Sequence, residues 1–297
     1  MLDFFHDMQS NPLLVQGFIA GLLASIGCGL IGPYVITRRI VFLSGAIAHV
    51  AVGGIGAAIY LQYTFPNALG WLQPLYGATL SALIGAIIIG YIHHRATERL
   101  DTLIGAMWAV GMSAGIMLIK FTPGYHTELM SYLFGNIALV SRHDLMLMFV
   151  LDFVVLLTVL VFHKQLLAIC LDQQQAAMQG INVLAMNILL LCLVALTVIA
   201  LIQVVGLILV LALLTLPAAT AGHWVPRLVS MCWISIGLCM LLTAIPRAAV
   251  YGENISPESA IVLSAAGVYL VSVIIRRTRD RLTRRRELRA LPPRTFA

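Results

Sequence analysis

A long stretch without charge sets the class of this protein. Between Asp172 and Arg227 the chain contains no Asp, Glu, Lys or Arg, and residues 187–221 are almost wholly apolar. As one helix, those residues would extend roughly 50 Å at ~1.5 Å per residue, more than the ~30 Å hydrocarbon core of a bilayer. The segment must therefore bend, break or return, and Gly206 and Pro217 are the predicted places. A chain with such a segment is predicted to be a polytopic membrane protein.

The composition extends this prediction to the whole chain. Of its 297 residues, 61% are hydrophobic and only 10% are charged, whereas a soluble domain carries about 25% charged residues. No polar stretch is long enough to form a separate soluble domain. We therefore predict one transmembrane domain over residues 1–297, with a helix bundle at 12–276 and a basic cytoplasmic tail at 277–297.

Nine apolar segments are candidate spans, or eight if the pair around Gly206 forms one span and a broken one. The predicted fold class is all-α, a polytopic transmembrane helix bundle. Residues 128–143 are too short to span and are predicted to form a half-helix inside the bundle, where irregular backbone has protein cover. The segments lie near residues 13–36, 43–63, 74–92, 102–119, 145–162, 187–205, 207–221, 228–245 and 260–275.

Basic residues orient these spans, because Lys and Arg are enriched on the cytoplasmic side. The rule places Arg38, Arg39, Lys164 and Arg227 in the cytoplasm, together with nine arginines in the last 22 residues. Such a tail after a final span is typical of contact with anionic lipid rather than with nucleic acid. The multi-pass topology and this charge pattern predict a location in a cytoplasmic (inner) membrane.

Small residues recur at helical spacing, which allows helices to approach closely in a membrane. Gly111 and Gly115 form a GxxxG pair, and Gly53, Gly54 and Gly56 follow His49 closely. The five cysteines show no CxxC spacing and are predicted to be small packing residues.

Two ionisable residues within predicted spans are the candidate transport residues. His49 lies in the second span and Asp152 in the fifth. Ionisable groups are expensive to place in a membrane and are usually functional there, and neutral imidazole binds zinc, iron and manganese. The alternative for each is a hydrogen bond to a neighbouring helix.

A short polar segment between two apolar blocks carries a complete set of helix boundary signals. Asp172 is a predicted N-cap, Gln175 stands three residues on as in a capping box, and Gly180 supplies a left-handed stop. The segment is therefore predicted to be a two-turn cytoplasmic helix with Met178 on one side. It either covers the ends of the spans or docks a soluble partner.

Several classes of protein are disfavoured by absent motifs. The sequence contains no GxxxxGK[ST] phosphate loop, no HExxH and no GxSxG. The chain is therefore not predicted to be an enzyme, and a membrane-embedded enzyme would lack a nucleophile and base. A secondary metal transporter driven by an ion gradient is the main alternative, although such folds usually contain repeated halves, which this sequence does not show.

Four stretches in order resemble the membrane permease of bacterial ABC importers for manganese, zinc or iron. The first is the basic pair Arg38 and Arg39 followed by His49 and a glycine pair, and the second is Asp-Thr-Leu-Ile-Gly at 101–105. The third is Leu-Phe-Gly-Asn at 133–136 with the polar turn at 141–144. The fourth is Gln-Val-Val-Gly at 203–206 with Leu-Pro-Ala-Ala-Thr-Ala at 216–221.

The resemblance implies a type II importer bundle that works as a dimer with two cytoplasmic ABC ATPase subunits. A periplasmic or lipid-anchored binding protein would deliver the metal, which is cargo rather than a resident cofactor. Residues 172–180 would be the coupling helix that sits in a groove of the ATPase. Many members carry Asp one turn before the His, whereas this chain has Gly45. The loss of an oxygen ligand favours zinc or iron over manganese.

Overall fold

The computed structural model describes residues 7, 11–95, 100–123, 140–253 and 255–290. Every regular element in these ranges is a helix, which confirms the predicted fold class. The helices are α1 (Pro12–Thr37), α2 (Val41–Thr64), α3 (Pro66–Leu69), α4 (Pro74–Arg95), α5 (Leu100–Lys120), α6 (Arg142–Val161), α7 (His163–Leu171), α8 (Gln173–Met178), α9 (Val183–Val205), α10 (Leu207–Gly222), α11 (Leu228–Ala249) and α12 (Pro257–Ala290).

All nine predicted apolar segments appear as helices with nearly the predicted bounds. Within the described ranges, seven helices are long and apolar enough to cross a bilayer, namely α1, α2, α4, α6, α9, α11 and α12. Shorter apolar helices at Ile104–Lys120 and Leu207–Gly222 account for the other two segments. Most of the predicted half-helix, including Leu133 to Asn136, lies outside the described residues.

The long uncharged segment breaks at Gly206, as predicted. Helix α9 ends at Val205 and α10 begins at Leu207, with φ 79° and ψ 158° at the glycine between them. This backbone conformation is essentially restricted to glycine. One residue therefore separates two apolar helices whose most extensive packing is with different neighbours, α9 with α4, and α10 with α1 and α12.

Pro217 does not end a helix, although the sequence made it the second candidate for a break. Helix α10 continues through Pro217 to Gly222. Proline cannot donate to the carbonyl four residues earlier, which here belongs to Leu213. The buried thiol of Cys239 on α11 donates to that carbonyl at 3.5 Å. A neighbouring helix thus satisfies the freed acceptor, as membrane bundles commonly do.

Two helices organise the bundle. Helix α1 packs against α6, α9, α10 and α11, and helix α2 packs against α4 and α5. Helix α2 is the most deeply buried of the seven candidate spans. Helix α12 continues from its apolar part into the arginine-rich region as far as Ala290.

Candidate functional site

A seam of glycines joins α2 to α5 at close range. A Cβ on Gly53 would lie 2.8 Å from the Gly111 carbonyl oxygen, and one on Gly56 would lie 2.7 Å from the Gly115 Cα. Real Cβ atoms do not approach so closely, so glycine is required for this contact. The small-residue pattern predicted from the sequence is confirmed for these pairs. Because residue numbers rise together on both sides of the seam, α2 and α5 run parallel.

The seam places His49 beside an aromatic ring that the sequence analysis did not single out. Trp108 on α5 lies three residues before Gly111, and His49 lies four residues before Gly53. The two rings are 4.7 Å apart between centroids at an interplanar angle of 31°. His49 is only 7% exposed. Its Nδ1 is buried and has no hydrogen-bond partner among the described residues, so this nitrogen is available as a ligand.

A groove adjoins Trp108, on the side of the pair towards the start of α2. Trp108 and Gly45 line it, and a Cβ on Gly45 would lie 3.8 Å from the Trp108 ring, which is ordinary van der Waals contact. The groove has a volume of about 290 Å³ and runs between α2, α5 and α10. Its lining is mainly apolar: Val41, Phe42, Gly45, Trp108, Leu211, Ala212, Thr215 and Leu216. His49 itself does not line this groove, but Trp108, whose ring lies beside the imidazole, does.

Asp152 occupies a different part of the bundle. It lies on α6 and is 6% exposed, and its Oδ1 would lie 2.6 Å from a Cβ placed on Gly27 of α1. Neither carboxylate oxygen has a hydrogen-bond partner among the described residues. A carboxyl group without a partner in a bundle interior is costly. Asp152 therefore meets the condition for a functional residue, but the neighbours that it contacts are not those of His49.

The described residues do not assemble a complete metal site within one chain. No group of three or more His, Cys, Asp or Glu side chains in the described ranges is close enough to share an ion. The backbone of α9 is described over its whole length, but the side chain of Gln203 is not. His126 and Glu128 lie outside the described residues. The structure thus provides isolated donors rather than a closed coordination sphere.

The polar segment at 172–180 forms the predicted short helix, α8. The Asp172 side chain accepts from the backbone N–H groups of Gln174 and Gln175 at 2.8 and 3.3 Å. At the other end Gly180 has φ 79°, and its N–H donates to Ala177 while Ile181 N–H donates to Ala176. This pair of bonds is a Schellman motif. Both predicted boundary signals are confirmed.

The side chains of α8 point to two surfaces. Met178 is 88% exposed at the end of the helix, whereas Ala176 is buried. Gln175 lines a groove between α7 and α8. Its side chain makes no reciprocal capping bond within the described structure, so only the Asp172 half of the predicted capping box is present. An exposed Met beside a groove with a largely apolar lining is the kind of surface that a protein partner can cover.

Comparisons with known proteins cover nearly the whole chain. A family model described as the ABC 3 transport family matches residues 10–276. A probable metal transport system membrane protein of Chlamydia trachomatis is 35% identical, with 90% of each chain covered. A manganese transport system membrane protein of Halalkalibacterium halodurans is 30% identical, covering 95% of this chain and 93% of its own. The solved structure of PsaBC from Streptococcus pneumoniae in complex with Fab superposes with a TM-score of 0.80 and 30% identity, covering 91% of this chain and 94% of its own.

Proposed function

Because the chain belongs to the ABC 3 transport family of multi-pass membrane permeases, we propose that it is the permease of an ATP-driven importer of divalent transition metal ions. The family match and the superposition on a solved structure both agree with the observed helix bundle. The relatives named for metal or manganese transport support the class of cargo. The gradient-driven alternative has no comparable support.

The observation that carries the proposal is the buried imidazole of His49. A neutral imidazole nitrogen without a protein partner is a good ligand for zinc, manganese and iron. Trp108 lies beside this ring and lines an apolar groove between α2, α5 and α10. A site with few ligands binds an ion weakly enough to release it, which conduction requires.

We further propose that two copies of the chain form the pathway. One chain brings only scattered donors together in its described part, so a second His49 would raise the number of ligands without closing the site. Asp152 is a second, independent candidate in a different part of the bundle. Selectivity then rests mainly on the binding protein that delivers the ion at the outer face.

Energy has to come from a separate ATPase, because the chain lacks a phosphate loop. We assign its docking to α8, the coupling helix, with Asp172 and Gly180 fixing the helix ends. Gln175 and Met178 supply the contact surface. ATP-driven closure of two ATPase subunits would move two such helices towards each other and reorient the spans.

The identity of the ion depends on position 45. Glycine there removes an oxygen ligand one turn from His49, and manganese prefers oxygen ligands. We therefore expect zinc or iron to be carried more readily than manganese. Competition between the three ions in the uptake assay below checks this ranking, and a clear preference for manganese would contradict it.

The decisive experiment is uptake by purified permease in lipid vesicles, with and without its ATPase and binding protein. Metal uptake should require ATP and the ATPase, and His49→Ala should abolish it while the complex stays assembled. His223→Ala is the matched control, because His223 lies at the far end of α10 and is bonded to Ser272. Uptake by the permease alone, or full uptake of every metal by His49→Ala, would reject the proposal.

A second experiment tests the docking helix. Met178→Asp places a charge on the most exposed apolar side chain of α8, so the ATPase should no longer co-purify. Thr278→Asp, on the exposed part of α12, is the control for an added charge. Equal recovery of the ATPase with both variants would remove Met178 from the interface.

A further inference from the structure

The two arginines at the corner between α1 and α2 differ in their surroundings. Arg38 is the C-cap of α1 and is partly buried, whereas Arg39 is exposed. Arg39 has φ 57°, a left-handed conformation that turns the chain into α2. In the sequence the two arginines form one basic pair. The structure separates them, because only Arg38 faces the interior of the protein.

The Arg38 guanidinium bonds to three other helices. Its Nη1 donates to the backbone carbonyl of Ile169 on α7 at 3.0 Å. Its Nη2 donates to Oδ1 of Asn187 on α9 at 2.9 Å. The Gln173 side-chain amide also meets the guanidinium: oriented with its oxygen towards Arg38, the assignment that satisfies both groups, it accepts from both nitrogens, at 2.9 Å from Nη1. Gln173 is the first residue of α8, so Arg38 contacts the coupling helix directly.

These partners are neutral, which distinguishes the cluster from an ion pair. The acceptors are one backbone carbonyl and two side-chain amides. The nearby thiol of Cys170 is uncharged at neutral pH, since burial raises its pKa to about 11 although Arg38 acts in the opposite direction. The planar fork of the guanidinium fixes the directions of its bonds. The cluster therefore fixes the end of α1 relative to α7, α8 and α9 rather than neutralising the charge of Arg38.

A second bond ties the same end of α1 to α7. The Tyr34 hydroxyl and His163 Nδ1 are 3.0 Å apart, and Tyr34 is almost completely buried. Tyr34 stands one turn before Arg38. Beyond the corner α2 begins at Val41, and His49 follows about two turns later. A short, hydrogen-bonded path thus leads from α8 to the helix that carries His49.

We propose that Arg38 is a positioning residue that transmits the movement of α8 to the α1–α2 corner and so to His49. This inference rests on the proposed function, which assigns docking to α8 and the metal to His49. Coupling through packed and hydrogen-bonded elements requires such a link between two sites. Arg38 is the side chain that bonds to α8 and also adjoins α2.

The test measures zinc taken up per ATP hydrolysed by the complete importer in vesicles. Arg38→Gln should lower this ratio at least about fivefold, within the usual range of coupling between sites, while the ATPase still co-purifies and hydrolyses ATP. Arg38→Lys keeps the charge but loses the fork, so it should also be uncoupled. Arg39→Gln is the matched control and should retain the wild-type ratio.

The partner residue gives an independent arm if Arg38→Gln does not assemble. Gln173→Ala should reduce the ratio as well, and the double variant should be no worse than Arg38→Gln alone, as expected for residues that act together. An unchanged ratio in Arg38→Lys and Gln173→Ala, or an equal loss in Arg39→Gln, would overturn the assignment. Failure of the proposed function would look different, because the wild type would then take up zinc without the ATPase or not at all.

Discussion

Removing the N-cap of α8 should weaken ATPase docking through the helix rather than through the lost charge. Asp172→Ala deletes an acceptor for two backbone N–H groups, and a lost cap costs about 1 kcal/mol. Only Ala176 of the six residues in α8 is buried. Helices this short are marginal by themselves, and one buried residue provides little packing to compensate for the lost cap.

The size of the effect follows from the fraction of molecules with an intact helix. A loss of about 1 kcal/mol lowers the ratio of formed to unformed helix about fivefold, and the apparent Kd for the ATPase rises in proportion when the helix is marginal. Gly180→Ala should have a comparable effect at the other end, because a non-glycine residue in the left-handed region costs about 1–2 kcal/mol.

The assay is titration of the ATPase subunit onto permease in nanodiscs, with Asp172→Asn as the matched control. Asparagine caps a helix as well as aspartate does but carries no charge, so Asp172→Asn should bind within about twofold of the wild type. Equal weakening by Asp172→Asn and Asp172→Ala would show that the charge, and not the cap, matters. Unchanged affinity in Asp172→Ala would refute the reasoning altogether.

Three further substitutions test other parts of the fold and site. Gly56→Leu should destabilise the bundle by about 1–3 kcal/mol, because a side chain would meet the backbone of Gly115. The thermal midpoint in detergent measures this loss, with Gly267→Ala as the control, since a Cβ there meets nothing within 4 Å. Equal midpoints for the two variants would contradict the prediction. Gly206→Ala should cost about 1–3 kcal/mol for its backbone conformation, and the same control and assay apply. Gly45→Asp adds an oxygen ligand on the His49 face of α2, so manganese should gain on zinc in competitive uptake. Gly45→Ala should leave that ratio unchanged, and an equal shift in both variants would exclude a ligand effect.

Much of the architecture could be predicted from the sequence because the bilayer imposes it. An apolar block of span length has to be a helix, so the nine segments appear close to their predicted bounds. Gly206, Asp172 and Gly180 were also identifiable, because cap and turn chemistry is local. The prediction of a break at Pro217 was wrong. The helix continues there, and the carbonyl that the proline frees accepts from Cys239 on another helix.

The contacts between helices were much harder to predict from the sequence. Trp108 lies beside His49 only because the glycine seam sets the register of α5 against α2. Apolar composition carries little information on that register. One signal was present: Trp108 precedes Gly111 by about the same distance as His49 precedes Gly53. The contacts of Arg38 were hidden for a similar reason, because its partners come from α7, α8 and α9, far away in the chain.

The glycine seam also restricts how the His49 region can move. Helix α5 packs chiefly against α2, and backbones in such close contact cannot separate without opening a void. Helices α2 and α5 should therefore shift as one piece, with the imidazole and the indole travelling together. Under the proposed transport function, the His49–Trp108 pair would therefore stay intact through each transport cycle.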